Sequence, residues 1–405
     1  MDYQSTLPFK EVKRMTDFQN VYTKYQDKGL TCYQAAQLLG CSERHFRRVR
    51  DRYKSEGEDI FSIIDKRIGH KPTNKIACDE IAEMLILYRE KYYDFNARHF
   101  HEKLRTDHAK TYSYNWVRTT LQSKGLITKG KRKNVHRKKR DRRPLPGMML
   151  HQDGSRHLWI ENLDPLDLIV TMDDANNQIY SIFLLPEEGT QSTFLGLYET
   201  MNKYGLPSSF YTDRGSHYVT TRDGKIDKVN LTQVGRALKQ LSVQAIYAYS
   251  PEARGRSERM FGTLQGRLPQ EFRINNITTL DQANKFLKTK FMPEFNKTFM
   301  KKVTEEGSAF TPYIGRYLLD ILSIQEERVV RNDNTVSYNN IILQIPQSKY
   351  RYHYVKCKVM VHEYYDGKIS IFHGPHKLAS YDSDGKNVDQ IVEKSNNSSK
   401  LLEAA

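Results

Sequence analysis

Cysteine is scarce in this chain. Its four residues, Cys32, Cys41, Cys78 and Cys357, show no CxxC spacing, which argues against a disulfide framework or a zinc ribbon. The expectation is four small buried side chains in a reducing compartment. Long apolar runs are missing too. MLILY and LIV fall far short of a membrane span, and the N-terminus, MDYQSTLPFKEVKRM, lacks the apolar core of a signal peptide. A soluble, cytoplasmic protein without membrane contact is expected. Acidic residues are thin in the first 150 positions, with 18 Asp+Glu against 33 Lys+Arg, whereas the remainder is balanced at 30 against 31. Nearly all of the net charge of +16 therefore resides in the N-terminal part. That asymmetry is more than solubility requires and points to a polyanion, most simply nucleic acid.

Residues 30–57 have the form of a helix-turn-helix. Tyr33, Ala36 and Leu39 suit a first helix, Gly40 permits the left-handed turn that ends it, and Ser42 can cap the second. Phe46, Val49 and Tyr53 then form a buried stripe, leaving Arg44, Arg47 and Arg48 on the opposite side, where a recognition helix meets the major groove. The competing reading is a solvated face on an ordinary helical hairpin; glycine turn, cap and arginines together favour DNA. A second helical module follows: Ile81, Met84, Leu85 and Tyr88 share one face, and residues 95–127 read as two more helices. Ser113 serves as a cap, Trp116, Val117 and Leu121 as buried face, and Gly125 as the stop. Residues 129–143 hold ten Lys or Arg with nothing to bury. A linker that contacts phosphates through Lys131, Arg132, Lys133, Arg137, Lys138, Lys139 and Arg140 is expected, with a nuclear-localisation run as the rival.

From Met148 the pattern turns to α/β. Strands are expected at 148–160, 166–173 and 178–185, a helix at 190–204 and a strand at 208–213. A helix at 231–242, a strand at 243–249 and a helix after Pro251 follow. A meander of three strands followed by alternating helix and strand is compatible with a ribonuclease-H-like topology. Residues 279–291 look helical. Residues 325–382 read as β, simplest as a small closed barrel, and the tail from 385 as disordered. The expected layout is multi-domain. An all-α helix-turn-helix domain (1–70) and a second one like it (71–128) precede a basic linker (129–147). An α/β catalytic core (148–298), an all-β barrel (299–384) and the tail complete the chain.

Three acids stand out by position: Asp153 within a strand, Asp213 at a strand end, and Glu258 on the helix that follows. Carboxylates gathered from separate elements can hold two Mg²⁺ ions, with Mn²⁺ as a substitute, and such a pair can drive phosphodiester cleavage. On the helix of Glu258 the apolar stripe is Phe261, Leu264 and Leu268. Glu258 shares a flank with Arg254, Gly262 and Gln265, while Arg256, Arg259, Thr263 and Arg267 are expected on a basic outer face. Arg254, Arg256 and Arg259 are accordingly candidate DNA contacts; a solvated, charge-laced surface helix is the alternative. Asp173 and Asp174 are expected in a turn rather than in a metal site. Asp223 and Asp227 fall in an insert, and Tyr247 and Tyr249 in packing. His217 and Arg214 are candidates for the scissile phosphate, and His151 and His157 share strand parity with Asp153.

HQDGSRHLWI, TMDDANNQIYSIFL, YTDRGSHY and AYSPEARGRSERMFGTLQGRLP resemble the catalytic core of DDE transposases, relatives of retroviral-type integrases. Among them the ISNCY group of bacterial insertion-sequence transposases is the one most similar. The resemblance runs from the helix-turn-helix to about residue 382. It implies that Asp153, Asp213 and Glu258 are the metal-binding triad of a ribonuclease-H-like core. It also implies cleavage at transposon ends, attack of the freed 3′-hydroxyl on target DNA, and a homo-oligomer that pairs two ends of duplex DNA in the bacterial nucleoid. Asp213 and Glu258 stand 45 positions apart, more than in compact integrases, and HYVTTRDGKIDKVNLT is expected to fold as a hairpin that accounts for the excess. The His–His–Cys–Cys zinc module of those integrases is absent. A phage integrase of the same chemistry, a DNA-binding regulator without catalysis, and a ribonuclease H are the other readings.

Overall fold

A computed structural model of the chain describes residues 8–64, 76–130, 141–222, 225–227, 229–248, 255–315, 317–347 and 351–388. Lys131, Arg132, Lys133, Arg137, Lys138, Lys139, Arg140, Asp223, Tyr249 and Arg254 lie outside the described residues, as does the tail from 389. The chain divides into two compact units, 1–85 and 86–405.

The first unit opens with α1 (Phe9–Gln26), followed by α2 (Cys32–Leu38) and α3 (Glu43–Ser55). Met15, Phe18 and Tyr22 of α1 recur at i, i+3 and i+7 and close over Ala35, Ala36, Phe46 and Tyr53. Gly40 takes the expected left-handed conformation at φ +63, and the Ser42 hydroxyl accepts from the His45 amide. Tyr33 is 59% exposed while Ala35 is fully buried, because a Thr31–Gln34 capping box starts the helix at Cys32 and sets its phase.

The unit boundary falls within α4 (Cys78–Glu90). Beyond it come α5 (Ala97–Thr106) and α6 (Tyr114–Ser123). Ser113 caps α6, and Val117 and Leu121 are fully buried. Trp116, expected in the core, lies half-buried against Tyr112. The cysteine expectation also needs correction: none of the four is fully buried, and Cys78 is exposed.

The rest of the second unit is built on β1 (Leu150–His157), β2 (Leu166–Asp173), β3 (Ile179–Leu185), α7 (Thr190–Tyr204) and β4 (Ser209–Thr212). A small hairpin, β5 (Thr221–Arg222) and β6 (Lys225–Ile226), comes next, then α8 (Gln233–Gln240) and β7 (Gln244–Tyr247). α9 (Gly255–Gln265), α10 (Leu268–Ile274), α11 (Leu280–Phe286) and α12 (Met292–Phe299) complete the core, with a π-helical stretch at Leu287–Phe291. The five-stranded sheet has the order β3-β2-β1-β4-β7. Its first three strands are antiparallel, and β4 and β7 run parallel to β1. That is the ribonuclease-H-like arrangement. Every residue of β2 is buried, as expected for a central strand covered on both faces. Leu168, Val170 and Met172 point to the layer of α9–α12, including Phe261, Leu264 and Phe291. Leu150 and Phe210 point to α7 and α8. Arg267, Glu271 and their neighbours bind α5 to this core: Glu271 meets His99 at 2.6 Å and Lys103 at 2.8 Å, and Arg267 meets Glu102 at 2.6 Å.

A short α13 (Leu318–Ile321) leads into β8 (Ile324–Val329), β9 (Thr335–Tyr338), β10 (Ile341–Gln344), β11 (Lys358–Glu363), β12 (Ile369–His373) and β13 (His376–Tyr381). The expected closed barrel is not what forms. Among the described residues, a four-stranded sheet, β13-β12-β11-β8, packs with the separate β9–β10 hairpin around Val336, Leu343, Val361 and Ile371. The two sheets share a core but no ladder.

Candidate active site

Strand register brings the first two acids together. Leu150 pairs with Phe210 and His151 with Tyr211 in the parallel β1–β4 ladder. Asp153 follows His151 by two residues and Asp213 follows Tyr211 by two, so the parallel register carries both acids toward the same end of the strand pair. Asp153 also pairs with Val170 on β2, so its face is the one covered by α9. Both acids are half-buried, and the Oδ1 of Asp213 accepts from the Gly215 amide at 2.8 Å.

Glu258 stands on α9, which runs alongside β1. At its start Arg256 pairs with Asp174, which also holds His151. At its end Gln265 Nε2 donates to Ser155 Oγ at 3.1 Å. From Arg256 to Gln265 the helix rises about 13.5 Å, and from His151 to Ser155 the strand rises about 13 Å. Helix and strand therefore advance in step, so that α9 lies along β1 on the face of Asp153. Ser257, Met260 and Phe261 line a crevice with His151 and Asp153, while Glu258 itself is exposed. Seven residues separate Glu258 from Gln265, nearly two full turns, so both occupy the same helix flank. The structure thus carries Asp153 on β1, Asp213 just past the end of the neighbouring β4, and Glu258 on the helix that runs alongside β1. Among the described residues no three His, Cys, Asp or Glu side chains are drawn into a ready metal cage. The hairpin β5–β6 pairs only with itself among the described residues, so this part of the spacing between Asp213 and Glu258 adds no strand to the main sheet.

Glu188 was not singled out from sequence, and the fold brings it here. It lies just before α7, and its amide is held by Asp167 at 2.8 Å. A β-carbon on Gly154, the residue after Asp153, would run into its carboxylate. Its Oε1 lies 3.6 Å from His217 Nε2, and the Tyr218 hydroxyl is 3.3 Å from both Glu188 Oε1 and Gln152 Oε1. Burial, then the negative charges of Glu188, Asp153 and Asp213, push the Tyr218 phenol well above its usual pKa. It stays a donor at any working pH. Glu188 approaches from the α7 side, since Gly154 alternates with Asp153 along the strand. Only the acid-then-glycine step between β3 and α7, PEEG, could have signalled it.

Other expectations shift. Arg256 does not belong to a basic outer face: its side chain is 12% exposed and pairs with the fully buried Asp174. Arg267 is likewise enclosed, between Glu102 and the Phe299 ring at 4.6 Å. Arg259 is exposed as expected. His157 packs on Trp159, while His151 bonds Asp174 at 2.7 Å. Asp173 and Asp174 do form a turn, one saturated with donors. Asp227 accepts from the Val229 and Asn230 amides within its loop, and the Tyr247 hydroxyl is 3.4 Å from the Tyr218 carbonyl. In the first unit Arg44, Arg47 and Arg48 all lie exposed on α3, with Arg47 paired to Glu43 and Arg48 bonded to His45 at 3.0 Å.

Comparison with known proteins adds to this geometry. Residues 23–60 match a homeodomain-like domain family. The y4bF protein of Sinorhizobium fredii, which carries a provisional transposase name, is 31% identical over 88% of this chain and 78% of its own length. The transposase for insertion sequence IS1202 of Streptococcus pneumoniae is 27% identical over 88% of this chain and 84% of its own. Similar solved structures include a simian T-cell lymphotropic virus intasome in complex with a PP2A regulatory subunit. It is 16% identical, with a TM-score of 0.34, over 65% of this chain and 86% of that one. A magnesium complex of the HTLV-2 integrase catalytic core domain is also 16% identical, at 0.28, over 35% and 82%. The fold assignment rests on the strand order given above. By identity and coverage, the chain belongs to the insertion-sequence transposases.

Proposed function

We propose that this transposase uses Asp153, Asp213 and Glu258 to cleave the ends of its element and to join the resulting 3′-hydroxyl to target DNA. The observation that supports the reading is the parallel β1–β4 register, with Asp153 and Asp213 each two residues beyond a paired position, and the contact of Asp153 with the helix that bears Glu258. The donor set is all oxygen and partly open to solvent, which suits Mg²⁺, with Mn²⁺ as a substitute, and not a soft thiophilic ion. Two such ions would offset charge on the attacking and leaving oxygens. The chain's own contribution is positional. β1 and β4 carry two carboxylates toward the same end of the strand pair, and Met260, Phe261 and the strand beneath wall off one side of the crevice. Arg259 offers positive charge on the solvent side of α9. Helix α3 presents Arg44, Arg47 and Arg48 to duplex DNA, and the basic linker adds phosphate contacts, so binding is steeply salt-dependent. Pairing two ends calls for a homo-oligomer on DNA, in the bacterial nucleoid.

The test is end cleavage and strand transfer with a DNA end from the native element. Asp153→Asn is expected to keep DNA affinity and to lose at least about a thousandfold in rate, about 4 kcal/mol of transition-state stabilisation. Equal cleavage by the two proteins would remove Asp153 from the site, and cleavage by neither, with DNA binding kept, would leave a DNA-binding regulator.

A further inference from the structure

Asp174 is fully buried in the turn after β2, and four segments converge on it. His151 of β1 bonds its Oδ1 at 2.7 Å. The Arg143 amide donates to its Oδ2 at 2.9 Å. Arg142 donates to its carbonyl at 2.8 Å and to that of Ala175 at 3.2 Å. Arg256, in the first described turn of α9, pairs with its carboxylate, and Nη2 of the same arginine donates to the Asp141 carbonyl at 2.9 Å. Burial alone would raise the Asp174 pKa; the bonds from His151, the Arg143 amide and Arg256 outweigh it and hold the carboxyl far below the usual range. The ionised form is the one built in. Strand, turn, linker end and catalytic helix thus meet at one buried carboxylate.

Arg256 is two residues from Glu258, and Gln265 is seven residues beyond. Between these two anchors the helix cannot slide along β1 without breaking the Asp174 pair. We infer that Asp174 and Arg256 are positioning residues that fix the height of Glu258 against Asp153 and Asp213, and that Arg256 is not a phosphate contact. The same pair ties the end of the basic linker, residues 141–143, to the catalytic helix. This rests on the assignment of Glu258 to the site.

Arg256→Gln, Asp174→Asn and the double variant test it in the full-length protein, with Arg256→Lys as a milder change. Melting temperature, DNA affinity as a function of salt, and cleavage rate as a function of Mg²⁺ concentration are measured for each. The expected result for Arg256→Gln is a rate reduced about a hundredfold at fixed Mg²⁺. The Mg²⁺ concentration for half-maximal rate rises several-fold, and DNA affinity and its salt slope stay unchanged. The double variant is expected to be no worse than the poorer single one, because the two side chains act as a pair. Arg256→Lys, which keeps the charge on Asp174 but loses the bond to Asp141, should fall between. Two results would overturn the inference: a salt slope lowered by about one with weaker binding, which marks a phosphate contact, or a half-maximal Mg²⁺ concentration that does not move in any variant that folds. If Arg256→Gln does not fold, the Lys variant carries the same two readouts. Mn²⁺-induced thermal shift, read without DNA, gives a second measure: it should shrink in each variant and be unaffected if Arg256 serves only DNA. Failure of the triad assignment itself would show separately, as an active Asp153→Asn protein.

Discussion

Two pairs of carboxylates stand on the same central sheet and are treated in opposite ways. Asp173 and Asp174, at the end of β2, are fully buried and saturated. Asp173 accepts from the Gly147 amide at 2.7 Å, the Ala175 amide at 2.7 Å and the Tyr180 hydroxyl at 3.0 Å, and Asp174 holds the network described above. Asp153, on β1, and Asp213, just past the end of the neighbouring β4, are half-buried. The first pair spends its charge on holding segments in place. The second pair stays partly open to solvent. Acids of one sheet thus differ by depth: one pair is enclosed in a hydrogen-bonded turn, and the other lies at the border of solvent.

The largest expected effect that sharpens this contrast is on rate. Asp213→Asn should lower end cleavage at least about a thousandfold while leaving thermal stability equal or slightly raised, because one of two neighbouring charges is removed. A loss of stability comparable to that of a buried-pair variant would break the comparison.

The mirror experiment is on stability. Asp174→Ala removes the carboxylate and leaves Arg256 enclosed without its charge partner, with an expected cost of about 3–5 kcal/mol, read by denaturant unfolding of the whole chain. A change under about 1 kcal/mol would mean that the pair is not structural.

A smaller effect is expected at Gly154→Ala. The added methyl must displace the Glu188 carboxylate, the far end of a flexible side chain, so stability should change little. The cleavage rate should fall about tenfold, or about 1.4 kcal/mol, as His217 and Tyr218 lose their common partner. Unchanged kinetics would show that Glu188 has no part in the site.

The smallest effect concerns pH in the C-terminal sheets. His362 is buried, its Nδ1 3.2 Å from the Ser323 hydroxyl. Burial, with Arg236 adding repulsion, lowers its pKa to about 4. The unfolded chain, with a His pKa of about 6.5, binds more protons between those values. The stability that neutral His362 supports is therefore complete above the unfolded pKa and is lost as pH falls from about 6.5 toward 4. His362→Gln should flatten that part of the unfolding profile. A profile identical to wild type would exclude His362 as its source.

Much of the core was legible in the residues. Helix 190–204 was found at its observed bounds because Gly205 stops it. β2 and β3 were read within a residue from their apolar runs, and the β5–β6 hairpin was anticipated from its DG turn. Asp153 falls within β1 and Asp213 just past the end of β4, as their strand positions were read. Other features were not legible. Trp116 was assigned inward by residue type, but helix phase decided otherwise. Arg256 was assigned outward by helical wheel, which cannot show that an acid from another element waits on that side. The barrel was inferred from strand count alone, and closure depends on ladders between distant strands.

The sequence by itself determined most of the elements and the charge asymmetry, because these follow from local periodicity, capping and composition. Only the tertiary structure decided which charged groups are enclosed together. Asp174 with Arg256, and Glu188 with His217 and Tyr218, join residues far apart in the chain, through contacts set by strand register and helix docking that no local pattern encodes.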